Sequence, residues 1–174
     1  MPLLKNPLGP VLALLLLVSL SAGADTPIAV LDFELHDITS NPGVAEEVRR
    51  TASLKPLLES SLSGKNGYRI VAVDADVQRA ASHGFGYLWD HPDEAALLGK
   101  SLGSRFVIVG RVSKPSFLFV HFTARVVDVQ TGRLVEEFVV EVKGQQQNFS
   151  GKGVENLARQ IDAKLQTVAR ARPD

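Results

Sequence analysis

The chain has 174 residues, 19 of them basic and 19 acidic, no cysteine and a formal net charge of zero. Nothing in that balance points to nucleic acid or to an anionic surface as a charge-driven partner. The missing thiols exclude disulfides, thiolate catalysis and cysteine-ligated metals.

The first 24 residues carry one cation, Lys5, then an apolar run from Val11 to Leu20 and then Ala22-Gly23-Ala24. That order is a secretory signal peptide with cleavage expected after Ala24. Its apolar run is well short of the roughly 20 residues that span a bilayer. The expected product is a periplasmic chain beginning at Asp25, with no transmembrane anchor and no lipidation cysteine. Removing the signal takes away only one charge, Lys5, and leaves 150 residues, enough for a single α/β domain over 25–174 with a sizeable core.

"PIAVLDFEL", Pro27 to Leu35, opens with apolar residues and then alternates, which predicts a strand covered on both faces at its start. Apolar positions Val44, Val48, Leu54, Leu58 and Leu62 predict an amphipathic helix that Pro56 should kink or split. Tyr68 to Val73 reads as the second strand. Asp74 is placed to cap a helix from Ala75 to Ser82. Pro92, Asp93 and Glu94 open another helix that stops at Gly103. "RFVIVGRV" is the third strand.

Two long alternating runs, Phe117 to Val129 and Arg133 to Lys143, are joined by "VQTGR", where Gly132 supplies a positive φ. They predict an antiparallel hairpin with Leu118, Val120, Phe122, Ala124 and Val126 on one buried face, joined there by Leu134, Phe138, Val140 and Val142, Glu136 being the exception. A last helix, about Gly153 to Arg170, carries Val154, Leu157, Ala158, Ile161, Leu165 and Val168 on one stripe. The order β-α-β-α-α-β-β-β-α predicts a mixed five-stranded sheet, α/β in class, with helices packed on it.

"IAVLDFEL", "EAALLGKSLGSRFVIVGRVSK" and "ARVVDVQTGRLVEE" resemble the α/β module of exported bacterial proteins. The chain is most similar to a domain-of-unknown-function family of small secreted proteins, of the 2380 type. It also resembles the amino-terminal domain of the Tol-Pal protein TolB and the periplasmic domain of the curli secretion channel lipoprotein. The resemblance covers nearly all of residues 27–168. It implies a binding or assembly module of the cell envelope, with no catalytic residues and no cofactor to carry over.

Phosphate-binding motifs fail on inspection. "GKS" at Gly99 to Ser101 has Glu94 where a P-loop needs its first glycine, and Trp89 stands where "GFGYLW" would need the third glycine of a dinucleotide fingerprint. The spacing G-x-S-x-G occurs at Gly99 to Gly103, but there it closes a helix and precedes a strand, the reverse of the strand-to-helix elbow a hydrolase serine needs. Two groupings remain. Asp32, Glu34 and His36 alternate along the first strand and read either as a metal or acid-base site or as a strand emerging at a solvated rim. His83, Phe85, Tyr87, Trp89 and His91, with Asp90 and Asp93, form an aromatic loop that reads either as a ligand or partner surface or as a helix cap covering the sheet edge.

The reading favoured by the residues is a non-enzymatic envelope accessory module acting through a protein partner, with the long hairpin offering an edge to a partner or to a second copy. The rival is a small-ligand or metal-binding protein attending a periplasmic oxidoreductase. A hydrolase using Asp32 or Glu34 is the third.

Overall fold

The opening strand is broken by a one-residue slip. In this computed structural model, which describes residues 25–65, 67–143 and 147–171, β1 (Thr26–Val30) and β2 (Glu34–Asp37) both run parallel to β4 (Phe106–Lys114). Val30 aligns with Ile108 and Glu34 with Arg111, so four steps along one chain match three along the other. An extra residue reverses which face each side chain takes. Phe33 and Leu35 therefore join the same core cluster as Ile28 and Val30. Gly110 makes this fit: a Cβ there would stand 2.5 Å from atoms of the Phe33 ring.

The remaining elements are α1 (Ala45–Ser63), β3 (Tyr68–Val71), α2 (Ala75–Ala81), α3 (Tyr87–Asp90), α4 (Pro92–Ser101), β5 (Phe119–Asp128), β6 (Arg133–Lys143) and α5 (Gln147–Ala171). The sheet is mixed and α/β as expected, but it has six strands in place of five. Its order is β3-β1-β4-β5-β6, with β2 also on β4. The expected signal peptide lies outside the described residues. Among those described, no helix is long and apolar enough to cross a membrane.

Two core layers follow from strand alternation. On one face α1 and α5 cover Ile28, Val30, Ile108, Phe122 and Val140. On the other, α3 and α4 cover Ala29, Leu31, Val107, Val109 and Val127. Helix α1 runs unbroken through Pro56. An interior proline costs about 3 kcal/mol, and burial of a leucine returns about 1.5–3 kcal/mol. Leu54, Leu58 and Leu62 are all fully buried on its inner stripe and outweigh the proline. That stripe begins with Glu47 and Thr51 in place of Val48, which is 52% exposed.

The caps behave as their chemistry requires. Asp74 accepts the N–H of Asp76 at the start of α2 (2.7 Å), Pro92 opens α4, and Gly103 takes a φ of 68° after it. The hairpin between β5 and β6 contains a register irregularity at Val126/Val127. Val126 faces Glu136 while Val127 faces Leu134, so Val135 is the surplus residue. Leu134 is consequently turned away from Phe138, Val140 and Val142 and is 42% exposed, contrary to the sequence expectation. Leu118 lies beyond the strand and is 69% exposed.

Asp128 organises the turn. It accepts the N–H groups of Gln130 (2.9 Å) and Thr131 (3.1 Å) and two bonds from Arg105 (2.6 and 3.1 Å). Burial opposes its charge, but these donors and the guanidinium outweigh burial and hold the carboxyl below its ordinary value. A lowered folded-state pKa means stability that is present above the unfolded value and lost as pH falls through the folded one. Urea midpoints should therefore drop between about pH 5 and pH 2. Asp128→Asn should lower the midpoint at pH 7 and flatten that acid limb; an unchanged pH profile would contradict this assignment.

Candidate functional site

Glu34 is the residue around which the aromatic loop is built. One carboxylate oxygen accepts the Gly86 N–H at 2.7 Å and the other takes Arg111 Nη2 at 2.9 Å. Gly86 has a φ of 81°, and a Cβ there would stand 3.3 Å from Arg111 Nη2. The Arg111 guanidinium lies 4.3 Å from the centre of the Trp89 ring and 5.1 Å from that of Phe85. Arg125 lies 4.2 Å from the Trp89 ring, donates to the Trp89 carbonyl at 2.8 Å and pairs with Glu137 at 2.6 Å. Two partly desolvated guanidinium groups on one tryptophan each contribute about 1–2 kcal/mol.

The five aromatic-loop residues therefore divide by role. Trp89 is buried and pins α3 to the sheet, so it supports the surface without forming it. Phe85 is 62% exposed, its ring 5.8 Å from that of His36. His83 and His91 pack against Tyr87 at 4.5 and 4.6 Å. Burial, with Glu94 and Asp93 nearby, pushes the Tyr87 hydroxyl above its ordinary pKa.

The alternating trio is separated by the slip. Glu34 and His36 share the face of the aromatic loop. Asp32 sits in the break, its carboxylate pairing with Lys55 at 3.1 Å, its N–H donating to the Gln78 side-chain oxygen and its carbonyl accepting from the Gln78 side-chain nitrogen. Among the described residues no three His, Asp or Glu side chains gather as a metal-holding group. A shallow cleft of about 390 Å³ borders Asp32, Glu34, Gln78, Arg79 and Phe85, but both of its carboxylates are already engaged by cations.

Beyond Trp89 the sheet face is open. Facing pairs Arg125 and Glu137, Thr123 and Val139, His121 and Glu141, and Phe119 and Lys143 run along β5 and β6. Val139 is 51% and Phe119 36% exposed. The opposite end of the sheet holds a cleft of about 790 Å³ beside Tyr68, Arg105 and Gln166. There the Tyr68 hydroxyl donates to Asp162 at 2.7 Å, and burial together with that carboxylate pushes its pKa up.

Sequence reasoning missed a buried ionic cluster. Lys114, at the end of β4, reaches Glu47 at 2.9 Å and Asp37 at 4.0 Å, and Arg50 braces Glu47 at 3.2 Å. Asp37 also accepts the Thr39 hydroxyl and N–H and the Gly43 N–H. Burial disfavours its charge, but those bonds and Lys114 prevail, holding the carboxyl below its ordinary value. The one available signal was Glu47 falling four residues before Thr51 and seven before Leu54, on the stripe that Leu58 and Leu62 continue.

A six-stranded mixed sheet, covered by two helices on one face and by three short ones on part of the other, defines a small α/β module of the kind seen in several bacterial proteins. The chain belongs to the DUF3280 family, described as "Protein of unknown function (DUF2380)", whose model matches residues 26–161. No curated protein sequence matches it.

Among solved structures, LpoB of Escherichia coli is similar over 72% of this chain and 60% of that one, at 14% identity and a TM-score of 0.53. A substituted PelC dodecamer from Paraburkholderia phytofirmans is similar over 76% of this chain and 84% of that one, at 14% identity and a TM-score of 0.51. TolB from Acinetobacter baumannii matches over 88% of this chain but 31% of that one, at 12% identity and a TM-score of 0.45. At these identities the likeness is one of fold.

Proposed function

We propose that the protein is a non-catalytic accessory module of the cell envelope that docks a protein partner on the open half of its sheet. The observation that carries this reading is the uncovered stretch of β5 and β6 presenting Val139, His121 and Phe119, bordered by the exposed Phe85. Interfaces favour aromatic and apolar centres with a polar rim. Glu137, Glu141, Arg125 and Lys143 supply that rim. The signal-like leader and the likeness in fold to LpoB and PelC support an envelope setting.

The side chains that a catalytic or metal-binding reading needs are occupied: Asp32 by Lys55, and Glu34 by Arg111 and Gly86. Val139→Arg tests the docking reading. An exposed substitution of this kind should shift stability by less than about 1 kcal/mol in urea unfolding. It should also abolish co-purification of the envelope protein recovered with the unaltered chain. Retention of the same partner by a folded Val139→Arg chain would sink the proposal.

A further inference from the structure

A second surface adjoins the open face at the end of the sheet where β4 turns into β5, meeting it at Phe119 and Lys143, and its chemistry differs from that of the rest of that face. The loop after β2 brings Ile38 beside the end of β4, where its N–H donates to the Lys114 carbonyl at 3.2 Å. The turn between β4 and β5 carries Phe117 and Leu118, followed by Phe119. Their exposures are 63% for Ile38, 51% for Phe117, 69% for Leu118 and 36% for Phe119. Single exposed apolar residues are ordinary; four at one tip, three of them consecutive, are not.

No charged residue occurs in either loop, across 38–44 or 115–120. The charges closest to them in sequence, Asp37 and Lys114, are buried and turned onto each other and Glu47. Several backbone donors of these loops are also used internally. The Ser116 hydroxyl accepts the N–H groups of Leu118 (3.2 Å) and Phe119 (3.3 Å). Asp37 accepts those of Thr39 (3.0 Å) and Gly43 (3.2 Å). Lys143 stands at the edge with its ammonium 5.8 Å from the Phe119 ring and its side chain 74% exposed.

A protein partner is held by about one hydrogen bond for every 100–200 Å² of interface, and this tip turns these donors inward. A bilayer surface has the opposite requirement, since backbone groups must be satisfied internally before they leave water. Phenylalanine side chains with a lysine whose head stays in water suit the headgroup boundary. The geometry points to the tip formed by Ile38, Phe117, Leu118 and Phe119 as a site that inserts into the surface of a lipid bilayer. The driving force is apolar burial, in keeping with the neutral net charge, so zwitterionic lipid suffices.

The absence of native cysteine allows a direct test on the full chain. Leu118→Cys carries an environment-sensitive fluorophore, and Leu97→Cys, at a 60% exposed position on α4, carries the same label as a control. With phosphatidylcholine vesicles, the Leu118 label should shift to the blue, brighten severalfold and be quenched by nitroxide lipids, while the Leu97 label stays unchanged. Phe117→Ser should weaken the response. An unmoved Leu118 label overturns the proposal, including the case in which the chain adsorbs through residues 1–24. So does an equal response at both positions, or a Leu118 shift that follows protein concentration without vesicles, which would assign the tip to a second copy.

Discussion

Lys114→Met should destabilise the protein by about 3 kcal/mol, because removing one partner of a buried ion pair leaves the other charge uncompensated. Lys114 is 3% exposed and Glu47 4% exposed, and the side chain of Asp37 is only 2% accessible. The methionine fills most of the lysine's volume, so lost packing is a small part of the effect. Arg50 still braces Glu47, and Asp37 keeps its three bonds from Thr39 and Gly43, which sets the expectation at the lower end of the usual 3–5 kcal/mol. For a domain of this size that corresponds to a fall in Tm of about 10 °C. Adding Glu47→Gln to Lys114→Met should restore part of the loss, since one of the stranded charges is then gone. Urea unfolding at pH 7 measures both. A single variant within 1 kcal/mol of the parent would mean that the cluster is hydrated and contributes little.

The second large effect lies at the slip itself. Gly110→Ala places a Cβ 2.5 Å from three atoms of the Phe33 ring, closer than carbon atoms can approach. Phe33 is fixed between β1 and β2 and is 8% exposed, so it has little freedom to withdraw. Overpacking of this kind costs about 1–3 kcal/mol. Phe33→Ala alone should cost about 3–5 kcal/mol, the usual price of a buried aromatic. In the double variant the Gly110→Ala penalty should largely vanish, giving a coupling of at least 1 kcal/mol. Additive losses in that cycle would show that Gly110 does not serve the ring.

Much of this architecture is legible in the amino-acid order. The helix starting at Pro92, the cap at Asp74 and the turn around Asp128 and Gly132 all rest on local chemistry that the chain states outright. The inner stripes of β5 and α5 follow from period alone. The two strand slips were hidden for one reason. An extra residue at Leu31–Phe33 and another at Val135 each reverse the alternation, and a strand's own pattern does not show such a slip, whether its partner is 77 residues away, as Arg111 is from Glu34, or in the same hairpin. The first slip detaches Asp32 from Glu34 and His36. The second exposes Leu134.

The ionic cluster was hidden for a different reason. Asp37, Glu47 and Lys114 are far apart in the chain and each reads as a solvated charge until the sheet brings them together. Trp89 belongs to the aromatic loop, but its ring packs on Arg111 and Arg125. The exposed part of its loop is Phe85. Glu34 meets that loop directly, accepting the Gly86 N–H and holding Arg111 under the Phe85 ring.

The open half of the sheet is the proposed site of partner binding. Photo-crosslinking in the exporting cell tests it most directly, with a photoreactive residue placed in turn at Val139, at Phe85 and at Val77, an exposed position on α2 away from that face. The expected result is the same single adduct from Val139 and Phe85 and none from Val77. Adducts at all three positions, or at Val77 alone, would contradict it.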